Sequence, residues 1–168
     1  LDANKKIQFE RQVYHWLALC EAEVKTWSDC SDFELHHCRL DWSPRRSAHR
    51  GGWYSSGPGI NLAMWLLARD RGEVYRMYEY ASFDDNAVIG GFYAKDANLA
   101  LGMIVCHEVA HAVQFYKKKV LNQSIDAPHG KSFKLPYAQL RKTVFNPKLP
   151  NQAEMKKSYT EYVSSVLR

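Results

Sequence analysis

The sequence predicts a single α+β domain with a short, mainly antiparallel sheet, and three observations carry that expectation. Its 168 residues suit one compact unit, residues 1–168, with a sizeable core. Strand-like alternation and turn residues crowd residues 34–56, whereas helical periodicity marks long stretches before and after them. The third observation is a nearly continuous apolar segment from Leu99 to Tyr116, interrupted only by His107, Glu108, His111 and Gln114.

Taken in order, Phe9, Val13, Trp16, Leu17, Cys20, Val24 and Trp27 recur at steps of three and four, which predicts an amphipathic helix over 4–27. "ELHHCRLDWS" alternates through His36, Cys38, Leu40 and Trp42 and reads as a strand. Adjacent on a strand, His36 and His37 face opposite sides and cannot share an ion, so both read as structural or solvent-facing. Ser43-Pro44 makes a turn, and "RRSAHRGGWYSS" reads as a second strand. "GPG" at 57–59 is expected to break the chain, with Asn61 capping a short helix to about Arg71. Residues 73–94 read as a hairpin about the Asp84-Asp85-Asn86 turn, although Val74, Met77, Tyr78 and Ala81 also fit a helical face. Asp96 caps the apolar helix 97–118, whose three terminal lysines complement the helix dipole. A loop, a helix over 131–143, the linker "NPKLP" and a last helix over 151–167 follow, the last with Met155, Tyr159, Tyr162, Val163 and Val166 inward.

An apolar fraction of 46% and a charged fraction of 24% are those of a soluble globular protein. No stretch of 18 apolar residues is free of charge, and the N-terminus lacks a secretory pattern, so a cytoplasmic or nucleoid-associated protein is expected. A first residue of Leu rather than Met suits a piece of a longer or processed chain. Cys20, Cys30, Cys38 and Cys106 show no CxxC spacing; they read as reduced thiols, with Cys106 a small core residue. Basic charge is segregated: residues 117–148 hold eight Lys or Arg against Asp126 alone, and residues 39–50 hold four Arg against Asp41. Those two segments carry +10 of a net charge of +5, leaving the rest acidic. Such segregation suits either a solvated face or an acidic partner such as single-stranded or junction DNA, with Arg45, Arg46, Arg50, Lys117, Lys118 and Lys119 as phosphate contacts. Trp42, Trp53 and Tyr54 lie near enough in sequence to stack on unpaired bases, or to pack in the core.

The four polar residues of the apolar helix supply the chemistry. Positions i, i+4 and i+7 share a face, so His107, His111 and Gln114 form one stripe with Glu108 beside it. This is HExxH: two imidazoles one turn apart bind one metal ion, and the carboxylate serves as a base. Zn²⁺ lowers the pKa of a bound water to about 7 and polarises a peptide carbonyl, and Glu108 then takes the proton. A chance match is expected about 0.015 times in a chain of this composition. Burying two imidazoles and a carboxylate without partners is costly, and a metal removes that cost. For the third ligand, Glu154, Glu161 and His129 are open; Gly130 lets the backbone turn sharply at His129, and Phe133 anchors the helix that follows. Tyr80 and Tyr137 are candidates to stabilise an oxyanion.

"HEVAHAVQ" followed by "HGKSF" resembles the SprT/Spartan-type zinc metalloproteases, whose motif is HExxH followed by HGxxF. "WYSSGPGINLAMWLL" is similar to that family's strand-turn-helix leading to the active-site helix, and the resemblance spans about residues 34–143. It implies His107, His111 and His129 as zinc ligands, Glu108 as the base, and a minigluzincin-like zincin domain whose sheet offers an edge to an extended peptide. It also implies substrates that are proteins on or crosslinked to DNA. The chain departs from the family in lacking a C-terminal Cys zinc ribbon and in carrying residues 73–94 as an apparent insertion. Two further readings stand beside a DNA-directed peptidase: a narrow-specificity processing or antagonist peptidase of a mobile element, and a DNA-binding module with a structural zinc.

Overall fold

A computed structural model describes residues 2–45, 48–68, 73–78 and 86–167. It is α+β, with a three-stranded mixed sheet and a separate strand pair packed among helices. Helix α1, Ala3–Lys25, starts at Asp2, whose carboxylate accepts the Lys5 N–H. Its buried stripe is Val13, Trp16, Leu17, Cys20 and Val24, with Phe9 and Trp27 packed partly against the same core, as the periodicity predicts.

Strands β1 (His37–Asp41), β2 (Arg50–Tyr54) and β3 (Gly57–Ala63) form the sheet in the order β1-β3-β2. β3 runs parallel to β1 and antiparallel to β2. The expected break at "GPG" is corrected here: those residues open the central strand. Ser55-Ser56 is the turn, because Tyr54 already pairs with Gly57. Gly57 takes φ +129, and a Cβ on Gly59 would stand 2.4 Å from the His37 carbonyl oxygen, so both glycines serve the tight junction with β1. Pro58 costs no sheet hydrogen bond to β2, since its backbone faces β1 and its carbonyl accepts the His36 N–H. Asn61 is likewise a strand residue rather than a cap. Its side-chain oxygen accepts from His37 Nε2 at 2.6 Å, and the His37 ring stacks on Tyr54 at 4.1 Å, a structural role as expected.

Helix α2 is only Met64–Leu67. Strand β4 (Tyr75–Met77) pairs antiparallel with β5 (Phe92–Ala94), so where 73–94 is described it pairs as strands, as the hairpin reading expects, and Met77 is a strand residue; Ala81 of the helical alternative lies outside the described residues. Asp84 and Asp85 lie outside the described residues; Asn86 accepts the Val88 and Ile89 N–H groups at the return of the chain. Two of the three strand pairings are antiparallel.

Helix α3, Ala97–Val120, is the core of the molecule. Asp96 caps it through the Asn98 N–H, and three lysines fill its last turn. It is long and apolar enough to cross a membrane by composition, but 83% of its most apolar stretch is buried within the protein. Helix α4, Lys131–Leu140, runs on into a π turn at Arg141–Phe145 and a 3-10 turn at Asn146–Lys148. Helix α5, Gln152–Val166, is capped by Asn151 and packs on β5 through Gln152 and the Tyr93–Tyr159 ring pair. Its expected inward face is corrected: no α5 residue is buried, and Val166 is 64% exposed. A helical stripe of Met155, Tyr159, Tyr162 and Val163 exists, but β5 is too short to cover it.

Candidate metal centre

The middle of α3 carries His107 and Glu108 buried and His111 half-buried one turn on. The chain leaves α3, crosses a loop and returns at His129, just before α4. Ligand nitrogens of His107, His111 and His129 lie within 4.8 Å of one another, the one such metal-binding group among the described residues. His111 Nε2 and His129 Nε2 are 3.1 Å apart. Tetrahedral ligands at about 2.05 Å from a zinc ion stand about 3.3 Å apart, so the His111–His129 pair has the spacing of two such ligands. The three histidines could therefore hold a metal. Glu154 and Glu161, the alternative third ligands, are exposed on α5 and do not join the group.

Hydrogen bonding prepares His111 for that role. Gln114 Oε1 can only accept, so the His111 Nδ1 at 3.3 Å donates to it and Nε2 keeps its lone pair for a metal. Burial, then repulsion from His107 and His129, lowers the His111 pKa to about 4 against the opposing effect of the Gln114 bond, so the ring is neutral at pH 7. Gln114 is fixed in turn by donating to Ser132 Oγ at 2.7 Å, and the Ser132 hydroxyl donates to Asp126. Asp126 also accepts the Lys131 and Ser132 N–H groups at the start of α4. The Ser132 hydroxyl first, then those backbone donors, hold the Asp126 carboxyl below its ordinary pKa. Gly130 has a different purpose from the sharp turn expected of it. Its backbone is ordinary, φ −75 and ψ −165, but a Cβ would fall 2.3 Å from the Asp126 carboxylate. The missing side chain is what lets Asp126 wrap the helix start.

Phe133 is the floor. Fully buried, it stacks on His111 at 4.3 Å and 27° and meets the rings of His107 and His129 at 4.8 and 4.9 Å. Tyr137 stacks beneath it at 5.2 Å. Tyr137 has no exposed surface and its hydroxyl accepts from buried Arg141 at 3.0 Å, so it braces the floor rather than facing the cleft as an oxyanion donor. Tyr80, the other candidate, lies outside the described residues.

On the open side, a cleft of about 250 Å³ is lined by His49, Arg50, Gly51, Glu108, Pro128 and the three histidines, among others. Gly51 N–H donates to Glu108 Oε2 at 2.5 Å, and a Cβ there would stand 1.8 Å from the Glu108 carbonyl oxygen. β2 and α3 thus touch backbone to backbone at the carboxylate. The register explains the direction of that N–H. Pro58 faces β1, so Gly59 and Asn61 face β2 and pair with Gly52 and Arg50, leaving the Gly51 and Trp53 backbones pointing outward.

The expected nucleic-acid contacts differ in exposure and partners. Arg45, Arg50, Lys118 and Lys119 are exposed, and Arg46 lies outside the described residues. Lys117 is instead paired with Asp29 at 2.7 Å. Trp42 donates to Glu10 and packs by Phe9, while Trp53 is packed partly against the core and Tyr54 is engaged with His37. All four cysteines are free; Cys20 and Cys106 are buried with sulfurs 3.6 Å apart, and burial pushes the Cys30 thiol up to about 12 and Cys38 up to about 11. Protonated thiols are poor metal ligands, consistent with a centre made of imidazoles. Sequence reasoning missed His49 and Asp126. No family model, curated protein or solved structure matches the chain.

Proposed function

We propose that the chain is a zinc-dependent metallopeptidase of zincin type, akin to the SprT/Spartan-type enzymes that its HExxH and HGxxF motifs resemble. The observation that carries this reading is the union of the three-histidine group with a buried carboxylate, Glu108, on the same cleft. A structural metal site needs no base, and structural zinc takes four protein ligands where three are gathered among the described residues. His107, His111 and His129 would hold the ion, which when bound supplies Lewis acidity toward a carbonyl and acidifies water.

The chain's own groups do the rest. With the Gly51 N–H committed to Glu108, the outward Gly51 carbonyl and Trp53 backbone of β2 suit an extended peptide added as a further strand, laying a scissile amide beside Glu108. Glu108 accepts a proton from the attacking water as the carbon–oxygen bond forms. It returns that proton to the amide nitrogen as the carbon–nitrogen bond breaks. The Gly51 N–H holds the carboxylate in line during both transfers.

Glu108→Gln tests the reading. Gln is nearly isosteric and can keep the Gly51 bond through its side-chain oxygen, but it cannot take the proton. Metal content and melting temperature are expected to stay at parental values while hydrolysis of a mixed peptide library falls by at least about 10³-fold. A Gln variant that cleaves as fast as the parent would remove Glu108 as the base and leave the centre structural or differently used.

A further inference from the structure

His49 stands at the end of the loop entering β2, and the cleft is not its only neighbour. It borders the metal cleft beside Glu108, and it also borders a second cavity of about 260 Å³ that shares His107 and Glu108 and is otherwise lined by Met77, Tyr78, Met103 and Ile104. One imidazole therefore sits where the two cavities meet at the base. One of its ring nitrogens has an assigned role. The Ala63 N–H at the end of β3 can only donate, and it does so to His49 Nδ1 at 3.2 Å. Nδ1 must present a lone pair, so in the neutral ring the proton is on Nε2. In the neutral ring Nε2 is thereby an N–H donor, one residue ahead of β2.

Resting on the peptidase reading above, we propose that His49 is a catalytic hydrogen-bond donor whose Nε2–H binds the carbonyl oxygen of the scissile amide as negative charge develops on it. The electron pair of the carbonyl π bond moves onto that oxygen when water attacks, and the water's proton goes to Glu108. The His49 proton is not transferred; it is shared with the oxyanion until the carbonyl reforms, the carbon–nitrogen bond breaks and Glu108 protonates the leaving amine. A donor placed for the tetrahedral state and weakly used by the planar amide speeds the chemical step rather than binding. The second cavity, with two methionines in its wall, is shaped to take an apolar side chain of the residue next to the scissile bond, which brings that carbonyl to His49.

Two substitutions separate this from a purely structural role. In His49→Asn the side-chain oxygen takes the place of Nδ1 and keeps the Ala63 bond, but the Nε2 donor is gone. In His49→Gln the amide nitrogen reaches the place of Nε2 and the donor returns. The Asn variant is expected to keep parental melting temperature and metal affinity and lose about 10²- to 10³-fold in kcat with little change in KM, and Gln to recover part of that loss. Affinity for a peptide phosphonate, a tetrahedral anion, should fall in the Asn variant by a similar factor. Nitrogen NMR of the metal-free protein should show the Nε2–H form at His49. An Asn variant at parental kcat, or an Nδ1–H ring, overturns the proposal while the peptidase reading stands. A metal-loaded parent that cleaves no peptide and binds no phosphonate overturns both.

Discussion

His111 shows how one side chain couples the site to stability. Its ring is held neutral by burial and by two neighbouring histidines, with a pKa near 4 against an ordinary value of 6.5. Between those values the unfolded chain binds a proton that the folded chain does not, so folding stability rises with pH across the window and is lost on acidification. Melts in the presence of a chelator should therefore show the metal-free protein losing stability from about pH 6.5 down to about pH 4, with a shallower loss in His111→Gln. His129 offers a second test. Because it completes the group and Glu154 and Glu161 lie exposed on α5, His129→Ala should weaken metal binding by at least about 100-fold, whereas alanine at either glutamate should leave a metal titration unchanged. His107, Glu108 and His111 were legible in the sequence because helical periodicity puts the two imidazoles on one face with the carboxylate beside them. Gln114 was legible as a member of the stripe but not as the partner that selects the His111 tautomer. His49 and Asp126 carried no such signal: the one is defined by a backbone N–H fourteen residues away, the other by a serine six residues on.

The elements that place these residues meet at one close contact, β2 against α3 at Gly51. With the Glu108 carbonyl oxygen 1.8 Å from the site of a Cβ, even alanine must push strand and helix apart, and the obstacle is backbone that has no rotamer to change. Gly51→Ala is expected to destabilise by about 1–3 kcal/mol, or more if the strand detaches, and to reduce activity beyond that by displacing the N–H from Glu108. A denaturant melt together with peptide hydrolysis measured well below the midpoint would separate the two effects; parental stability would mean the contact is looser than it stands here. The helices α1, α3 and α5 could be read from spacing because each has its own periodic stripe. The central strand could not. Gly-Pro-Gly signals a turn in isolation, and only the proximity of β1 turns those residues into a requirement of the sheet. For α5, spacing correctly marked an apolar face but could not say what would lie on it, and β5 covers only part.

At the scale of the whole molecule the question is what the segregated positive charge does. The count in the sequence overstates the charge on offer, because Arg141 is buried at 2% exposure and Lys117 is held by Asp29. Of the expected phosphate contacts, two pairs remain exposed: Arg45 and Arg50, the latter on the rim of the metal cleft, and Lys118 and Lys119 at the far end of α3; Arg39, Lys131, Lys134, Lys142 and Lys148 are exposed besides. Eleven residues of helix separate Glu108 from Lys119, about 16 Å along the axis. That exceeds the screening length of about 8 Å at physiological salt, so the lysines act on a partner independently of the Glu108 carboxylate. A single strand of DNA lying along β2 and α3 would meet both pairs, and each lost phosphate contact would remove its own share of counterion release. Single-stranded DNA binding is expected to weaken steeply with salt. Lys118→Glu with Lys119→Glu, and Arg45→Glu with Arg50→Glu, should each reduce both the affinity and the salt slope, with nearly additive effects when combined. The losses should be the same for any base sequence, since phosphate contacts carry none of it. Cleavage of a DNA-bound protein should fall with the lysine reversals while cleavage of a free peptide does not, because those lysines stand a helix-length from the carboxylate. Binding already weak at low salt, or indifferent to all four reversals, would remove DNA from the account and leave the charge as a solvated face.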